Sequence, residues 1–285
     1  MKGKNNMSIR IITDSTSEIS QAQAKKLNID IIPMTISFGD ENFIDGIDIT
    51  NKEFYLRLRE ATQLPKTSLI NSESFITVFE KYPDEDEIIG IFISSGLSGS
   101  LQSAHIAKDE LPNKKIHLID SLQVSFGLTA LVLYAIRLRD EGKTAEEIVQ
   151  LVENAKNRFV VIALIDDLKY LRLGGRLSSS SAFIGTIIKL KPVVRIAEGK
   201  VLPVHKALGI HRAFAWLVDQ YKEADVDTTM PRIFGHSDAE ETLEQFKEYV
   251  KKRCDFPMDT VYPIGPTVGV HTGPGAVGFC FFTKK

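Results

Sequence analysis

Three short β-branched runs in the first half of the chain each end in a cluster of hydroxyl and carboxylate side chains and then lead into a helical pattern. Ile9 to Ile12 runs into Thr13-Asp14-Ser15-Thr16-Ser17. Ile88 to Ile93 runs into Ser94-Ser95-Gly96-Leu97-Ser98-Gly99. Ile116 to Ile119 runs into Asp120-Ser121 ahead of an apolar helix around Leu128 to Leu138. Strands separated by helices pair in parallel, because the crossover returns the chain to the same edge of the sheet. The carboxyl ends of such strands form a rim, and the following helices aim their free N-terminal amides at it. A ligand site is expected on that rim. Thr144 and Glu147 form a capping-box pattern that opens another helix.

From Phe159 the pattern restarts with the apolar run Val160 to Ile165, a helix through Leu173, and Gly174-Gly175-Arg176-Leu177. It continues through Pro192 to Ile196, a helix around Ala213 to Tyr221, the strand Arg232-Ile233-Phe234, and a helix from Ser237 to Lys252 with Glu240 completing a capping box. The expected fold is therefore α/β with two domains. Residues 7–157 form a doubly wound, mostly parallel domain, residues 158–285 a second α/β domain, and residues 1–6 an N-terminal extension. No Pro- or Ser-rich linker separates the halves, so the boundary near Asn157 is soft. The glycine-dense stretch Gly265 to Ala276 is expected to bring its backbone close to a ligand.

Composition removes several functions. Lysine and arginine number 35 against 37 acidic residues, which leaves no basic excess for nucleic acid or an anionic membrane. No apolar run is long enough for a transmembrane segment. The first residues lack the apolar core of a signal peptide, and Cys254 and Cys280 show no disulfide framework, so a reducing, cytoplasmic setting is expected. There is no P-loop and no G-x-G-x-x-G, and the histidines and cysteines give no metal-ligand spacing. No metal and no cofactor are expected.

Four segments carry candidate chemistry: Thr67-Ser68, Ser94 to Ser103, Gly175-Arg176-Leu177, and His271 to Ala276. Taken singly, each has an ordinary reading, as a helix cap, a solvated turn or a surface histidine. Taken together, their hydroxyls, helix amides, guanidinium and imidazole favour a carboxylate or a phosphate. Gly96-Leu97-Ser98-Gly99-Ser100 also nearly matches the G-x-S-x-G nucleophile elbow. With Asp120 or Asp166 and His271 it offers a serine hydrolase as an alternative. Ser178 to Ser181 reads as a loop or helix entry and leaves a rim role open.

The order and spacing of Asp14-Ser15-Thr16-Ser17, Lys66-Thr67-Ser68, Ser94 to Ala104, Asp120-Ser121, Gly175-Arg176-Leu177 and His271-Thr272-Gly273-Pro274-Gly275-Ala276 resemble the DegV family, and the likeness covers nearly the whole chain from Met7. The resemblance implies a non-enzymatic lipid-binding protein that encloses one long-chain fatty acid. The carboxylate would sit at the domain interface and the acyl chain in an apolar tunnel. Thr67, Ser68 and Ser98 would bind the carboxylate, Arg176 and His271 would close the site, and Ser95 would lie beside it. A separate ATP-dependent fatty acid kinase is the implied partner, and the acyl phosphate product would enter phospholipid synthesis. A lipid or phosphate sensor with another partner is a further alternative. The chain departs from the family pattern at Leu69-Ile70-Asn71, where Gln-Pro-Ser is usual. It departs again at Leu208, where many relatives carry an arginine thought to help dock the kinase; Lys206, His211 or Arg212 could take its place.

Overall fold

The computed structural model describes residues 8–178 and 190–284, so the expected extension at 1–6 and the serines at 179–181 lie outside the described residues. The chain leaves β1 (Ile9–Asp14) through a single 3-10 turn at Ser15–Ser17, enters α1 (Gln21–Leu27) and returns as β2 (Ile29–Ile32), parallel to β1. A separate antiparallel sheet follows, made by β3 (Thr35–Phe38), β4 (Glu41–Ile44) and, after α2 (Asn51–Glu60), β5 (Lys66–Ser68). The parallel sheet resumes through α3 (Ser72–Phe79), β6 (Glu87–Phe92), α4 (Ser100–Asp109) and β7 (Lys115–Asp120), giving the order β2-β1-β6-β7. Strand β6 is buried along its whole length, as a central parallel strand covered on both faces must be. The three hydroxyl and carboxylate clusters thus stand side by side at the carboxyl ends of β1, β6 and β7, as the sequence requires. Asp14 joins two of them by accepting from the Ile93 amide at 2.8 Å.

Helices α5 (Phe126–Asp140) and α6 (Ala145–Lys156) close the first half. At α6 the expected capping box is present: Thr144 accepts from the Glu147 amide at 3.3 Å, and Glu147 accepts from the Thr144 amide at 2.9 Å. The second half comprises β8 (Phe159–Leu164), α7 (Lys169–Leu173), β9 (Leu190–Ala197), β10 (Lys200–Leu208), α8 (Ile210–Glu223), β11 (Ile233–His236), α9 (Glu240–Lys251), β12 (Val261–Pro263), α10 (Pro266–Thr272) and β13 (Val277–Phe282). Its sheet runs β10-β9-β8-β13-β11-β12 and is antiparallel except between β11 and β12. Strand alternation divides this sheet between two cores. Val161, Ala163, Val194, Ile196, Cys280 and Phe282 face the first half, whereas Ile162, Leu164, Val193, Phe279 and Phe281 pack with residues of α8 and α9.

Helix α5 is apolar on every side because it lies between the sheets, touching β1 and β6 on one hand and β8, β11 and β13 on the other. One core therefore runs from Ile11 through Leu131 to Phe282.

One local expectation is corrected. Helix α9 begins at Glu240, behind Ala239, without a side-chain cap. Ser237 is fully buried, and its hydroxyl instead accepts from the Ala276 amide at 2.8 Å, which ties the end of β11 to the start of β13. The glycine-dense stretch contains α10, with Pro266 in its first turn. Two of its glycines lie directly against protein rings. A Cβ on Gly269 would stand 2.6 Å from the Phe54 ring, and one on Gly273 (φ +67°) would stand 2.2 Å from the Tyr170 ring.

Candidate functional site

The loop after β6 is drawn tight by its own serines. Ser94, fully buried, donates to the Gly199 carbonyl at 2.8 Å and accepts from the Gly96 amide at 3.1 Å, which fastens the rim to the turn between β9 and β10. Only glycine fits at 199, where φ is +72° and a Cβ would stand 2.4 Å from the Ser94 hydroxyl. Ser98 shares a hydrogen bond with Ser100 at 2.9 Å, and the Ser100 hydroxyl accepts from the Ile70 amide at 3.1 Å. Helix α4 starts here behind Gly99 with no side-chain cap, so its first turn offers amides beside Ser98.

The opposite wall comes from β5, α7 and α10. The Thr67 hydroxyl lies 3.1 Å from His271 Nε2. His271 is held neutral at pH 7: burial, with help from the Arg176 charge, lowers its pKa from 6.5 to about 4. Its Nδ1 is buried without a hydrogen-bond partner, against Gly174, where a Cβ would stand 2.3 Å away. Arg176 is aimed by backbone acceptors, donating from Nε to the Leu97 carbonyl at 3.2 Å and from Nη1 to the Gly174 carbonyl at 2.6 Å. A guanidinium fixed in this way and a neutral imidazole beside hydroxyls can receive a monoanion through charge-assisted hydrogen bonds.

Of the six residues singled out from sequence, Thr67, Ser68, Ser98, Arg176 and His271 line one cavity of about 190 Å³. The structure does not bring Ser95 to that cavity. Ser95 is exposed, and both its hydroxyl and its amide donate to Asp120. Thr16 and Thr272, which lie in segments the sequence singles out, and Thr267, whose side chain it does not, also line the cavity. Thr267 and His271 are four residues apart on α10, so reading a helix through the glycines would have put both on one face. The rest of the wall is largely apolar, including Met34, Ile93, Leu97, Leu171 and Val268. Beyond it lies a second, apolar cavity of about 50 Å³ against β8 and β9, and Val124, Leu171, Val201, Val268 and Thr272 belong to both.

Three buried carboxyls back this wall. Burial raises Asp14 to about 6, against the opposing pull of hydrogen bonds from Thr16 and Ile93. Burial, together with the Asp45 charge, raises Glu18 well above the usual range, and burial also raises Asp45. The parts of a serine hydrolase do not meet, since the Ser98 hydroxyl pairs with Ser100 and the His271 ring with Thr67. Asp120 is engaged by Ser95 and by the Leu122 amide, and Asp166 by Lys191. Among the described residues, no group of three or more His, Cys, Asp or Glu is placed to hold a metal ion, and no helix is long and apolar enough to cross a membrane.

Known proteins share this arrangement of elements. A DegV domain-containing protein of Caldanaerobacter subterraneus subsp. tengcongensis is 34% identical over 279 residues, covering 97% of this chain and 99% of its own length. Among solved structures, that described as fatty acid binding of a DegV family protein from Thermus thermophilus superposes with a TM-score of 0.87 at 28% identity, covering 97% of this chain and all of that one (100%). DegV from Bacillus subtilis, described as a fatty acid binding protein, superposes with a TM-score of 0.84 at 29% identity over 98% of this chain and 100% of its own. The model of a family described as uncharacterised proteins of the DegV family matches residues 8–284, from the first strand to the last. With the rim motifs, the two sheets and the full-length matches in agreement, the chain belongs to the DegV family.

Proposed function

We propose that this protein binds one long-chain fatty acid, with the carboxylate received by Thr67, Ser68, Ser98, Arg176 and His271 where the two halves meet and the acyl chain running into the apolar space behind them. The observation that carries this reading is the adjacency of the two cavities: a polar wall with one fixed cation shares five lining residues with an apolar recess. Such a shape suits an amphiphile with a single anionic end. Each buried methylene contributes about 0.8 kcal/mol, so the tail supplies affinity while the polar wall fixes orientation. The fatty acids bound by the Thermus thermophilus and Bacillus subtilis relatives support the same reading. Ser95, tied to Asp120, takes part by holding the loop rather than by touching the ligand.

In this reading the protein is a carrier and not an enzyme on its own. It presents the carboxylate to a separate ATP-dependent fatty acid kinase, and the acyl phosphate remains bound until it passes to phospholipid synthesis. Leu208 is exposed at the end of β10, and Lys206 in the same strand and His211 and Arg212 in the first turn of α8 are the basic candidates for a docking contact.

Organic extraction of the purified protein followed by mass spectrometry tests the binding. About one fatty acid per chain is expected, and a folded protein that neither carries one nor takes one up on addition removes the proposal. Adding a fatty acid kinase and ATP tests the handover separately, since the acyl phosphate either forms on the bound ligand or does not.

A further inference from the structure

Asp14 is a buried acid one hydroxyl away from the binding cavity. It is fully buried at the end of β1, where Oδ1 accepts from the Thr16 amide at 2.9 Å and from the Thr16 hydroxyl at 2.5 Å, and Oδ2 accepts from the Ile93 amide at 2.8 Å. Thr16 lines the larger cavity, so its hydroxyl links that cavity to Asp14. With its proton committed to Asp14, the hydroxyl shows the cavity only lone pairs. It can accept from a protonated acid, but it opposes a carboxylate.

An uncharged fatty acid enters apolar space at far lower cost than its carboxylate, yet it must lose a proton to pair with Arg176 as an anion. Arg176 cannot take that proton. Asp14, raised to about 6 by burial, is a stronger base than His271, lowered to about 4, and than an ordinary carboxylate at about 4.3. The other titratable groups near Asp14 are Asp45 and Glu18, with Tyr55 beyond them; burial raises all three, and none lines the cavity.

We propose that Asp14 takes the proton of an arriving fatty acid through the Thr16 hydroxyl. The acid's O–H bond breaks as its proton passes to Thr16 Oγ1, and the O–H bond that Thr16 held breaks as its own proton passes to Asp14 Oδ1. The negative charge moves from Asp14 to the ligand, where Arg176 faces it. Thr16 then accepts from Asp14 and turns its new proton toward the carboxylate, changing from acceptor to donor as an anion requires. This assignment rests on the fatty-acid reading above and deepens it: Thr16 meets the ligand, and Asp14 is a positioning residue that acts through it.

Dissolved fatty acid is anionic at neutral pH, so reaching the same end state from water takes up a proton. The test is titration calorimetry of delipidated full-length protein with tetradecanoate, in phosphate and in Tris, whose heats of ionisation differ. At pH 7 the wild-type protein is expected to take up about one proton per bound chain, and its affinity is expected to fall about tenfold per pH unit above that. Asp14→Asn is expected to bind without proton uptake and with a flat profile. Thr16→Val is expected to lose the uptake as well, because Asp14 without the hydroxyl already holds a proton before the ligand arrives, and Thr16→Ser is expected to keep it. Wild-type binding without proton uptake, or uptake that persists in Asp14→Asn, overturns the assignment. Should circular dichroism show that Asp14→Asn does not fold, the two Thr16 variants decide by the same proton count. Failure of the wild-type protein to bind tetradecanoate or any longer acid removes the fatty-acid reading itself, which distinguishes that outcome from binding that is intact but uncoupled from protons.

Discussion

His271 and Arg176 stand on the same wall, and the ring stays neutral so that only one of them is charged. A histidine whose folded pKa is depressed takes up its proton more readily when unfolded, so its contribution is complete above about pH 6.5 and is lost as pH falls toward 4. Unfolding of the wild-type protein and His271→Gln across that window should show their stability difference shrinking by about 3 kcal/mol in favour of the variant. Asp14 acts in the opposite sense. Its raised folded pKa means that it gains a proton on folding between about pH 6 and 4, so the wild-type profile alone is flatter than the difference. Arg176→Gln removes the fixed cation, and fatty-acid affinity should fall by about 1.5–3 kcal/mol, read by titration calorimetry. A carboxylate seated beside His271 also favours the imidazolium, so the ring pKa followed by NMR should rise when fatty acid is added.

Helix α10 supplies His271, and its position depends on glycines that admit no substitute. Gly273→Ala forces a Cβ into the Tyr170 ring at positive φ and should destabilise the protein by at least about 1–3 kcal/mol in urea unfolding. Thr144→Ala, at the cap of α6 and far from the site, should cost about 1 kcal/mol and leave binding unchanged. These two helices also mark what is legible in the sequence. The α6 cap is a local pattern, readable because its hydrogen bonds span three residues. Helix α10 is hidden by Gly265, Gly269 and Gly273, which signal loop by propensity; Gly269 and Gly273 are dictated by the rings of Phe54, Tyr55 and Tyr170 and Gly265 by the Glu18 carboxylate, all distant in sequence. Ser237 misleads for the same reason, since the partner that claims its hydroxyl, Ala276, lies 39 residues away. Ser95 and Ser98 look equivalent in sequence, and only the direction of the loop separates the one that binds Asp120 from the one at the cavity.

In the whole molecule, α5 is the common floor of both sheets, and the two halves are expected to unfold together. Leu131→Ala, in the middle of that helix, should cost about 2–5 kcal/mol and lower hydrogen-exchange protection in β6 and β13 alike; loss confined to one sheet would show the halves to be independent. The cavity is built across the same join, with Thr67 and His271 separated by 204 positions in the chain yet sharing one hydrogen bond. A molecule held by both residues is a rivet through two plates. If its release requires the plates to part, two ligands of equal affinity can leave at very different rates.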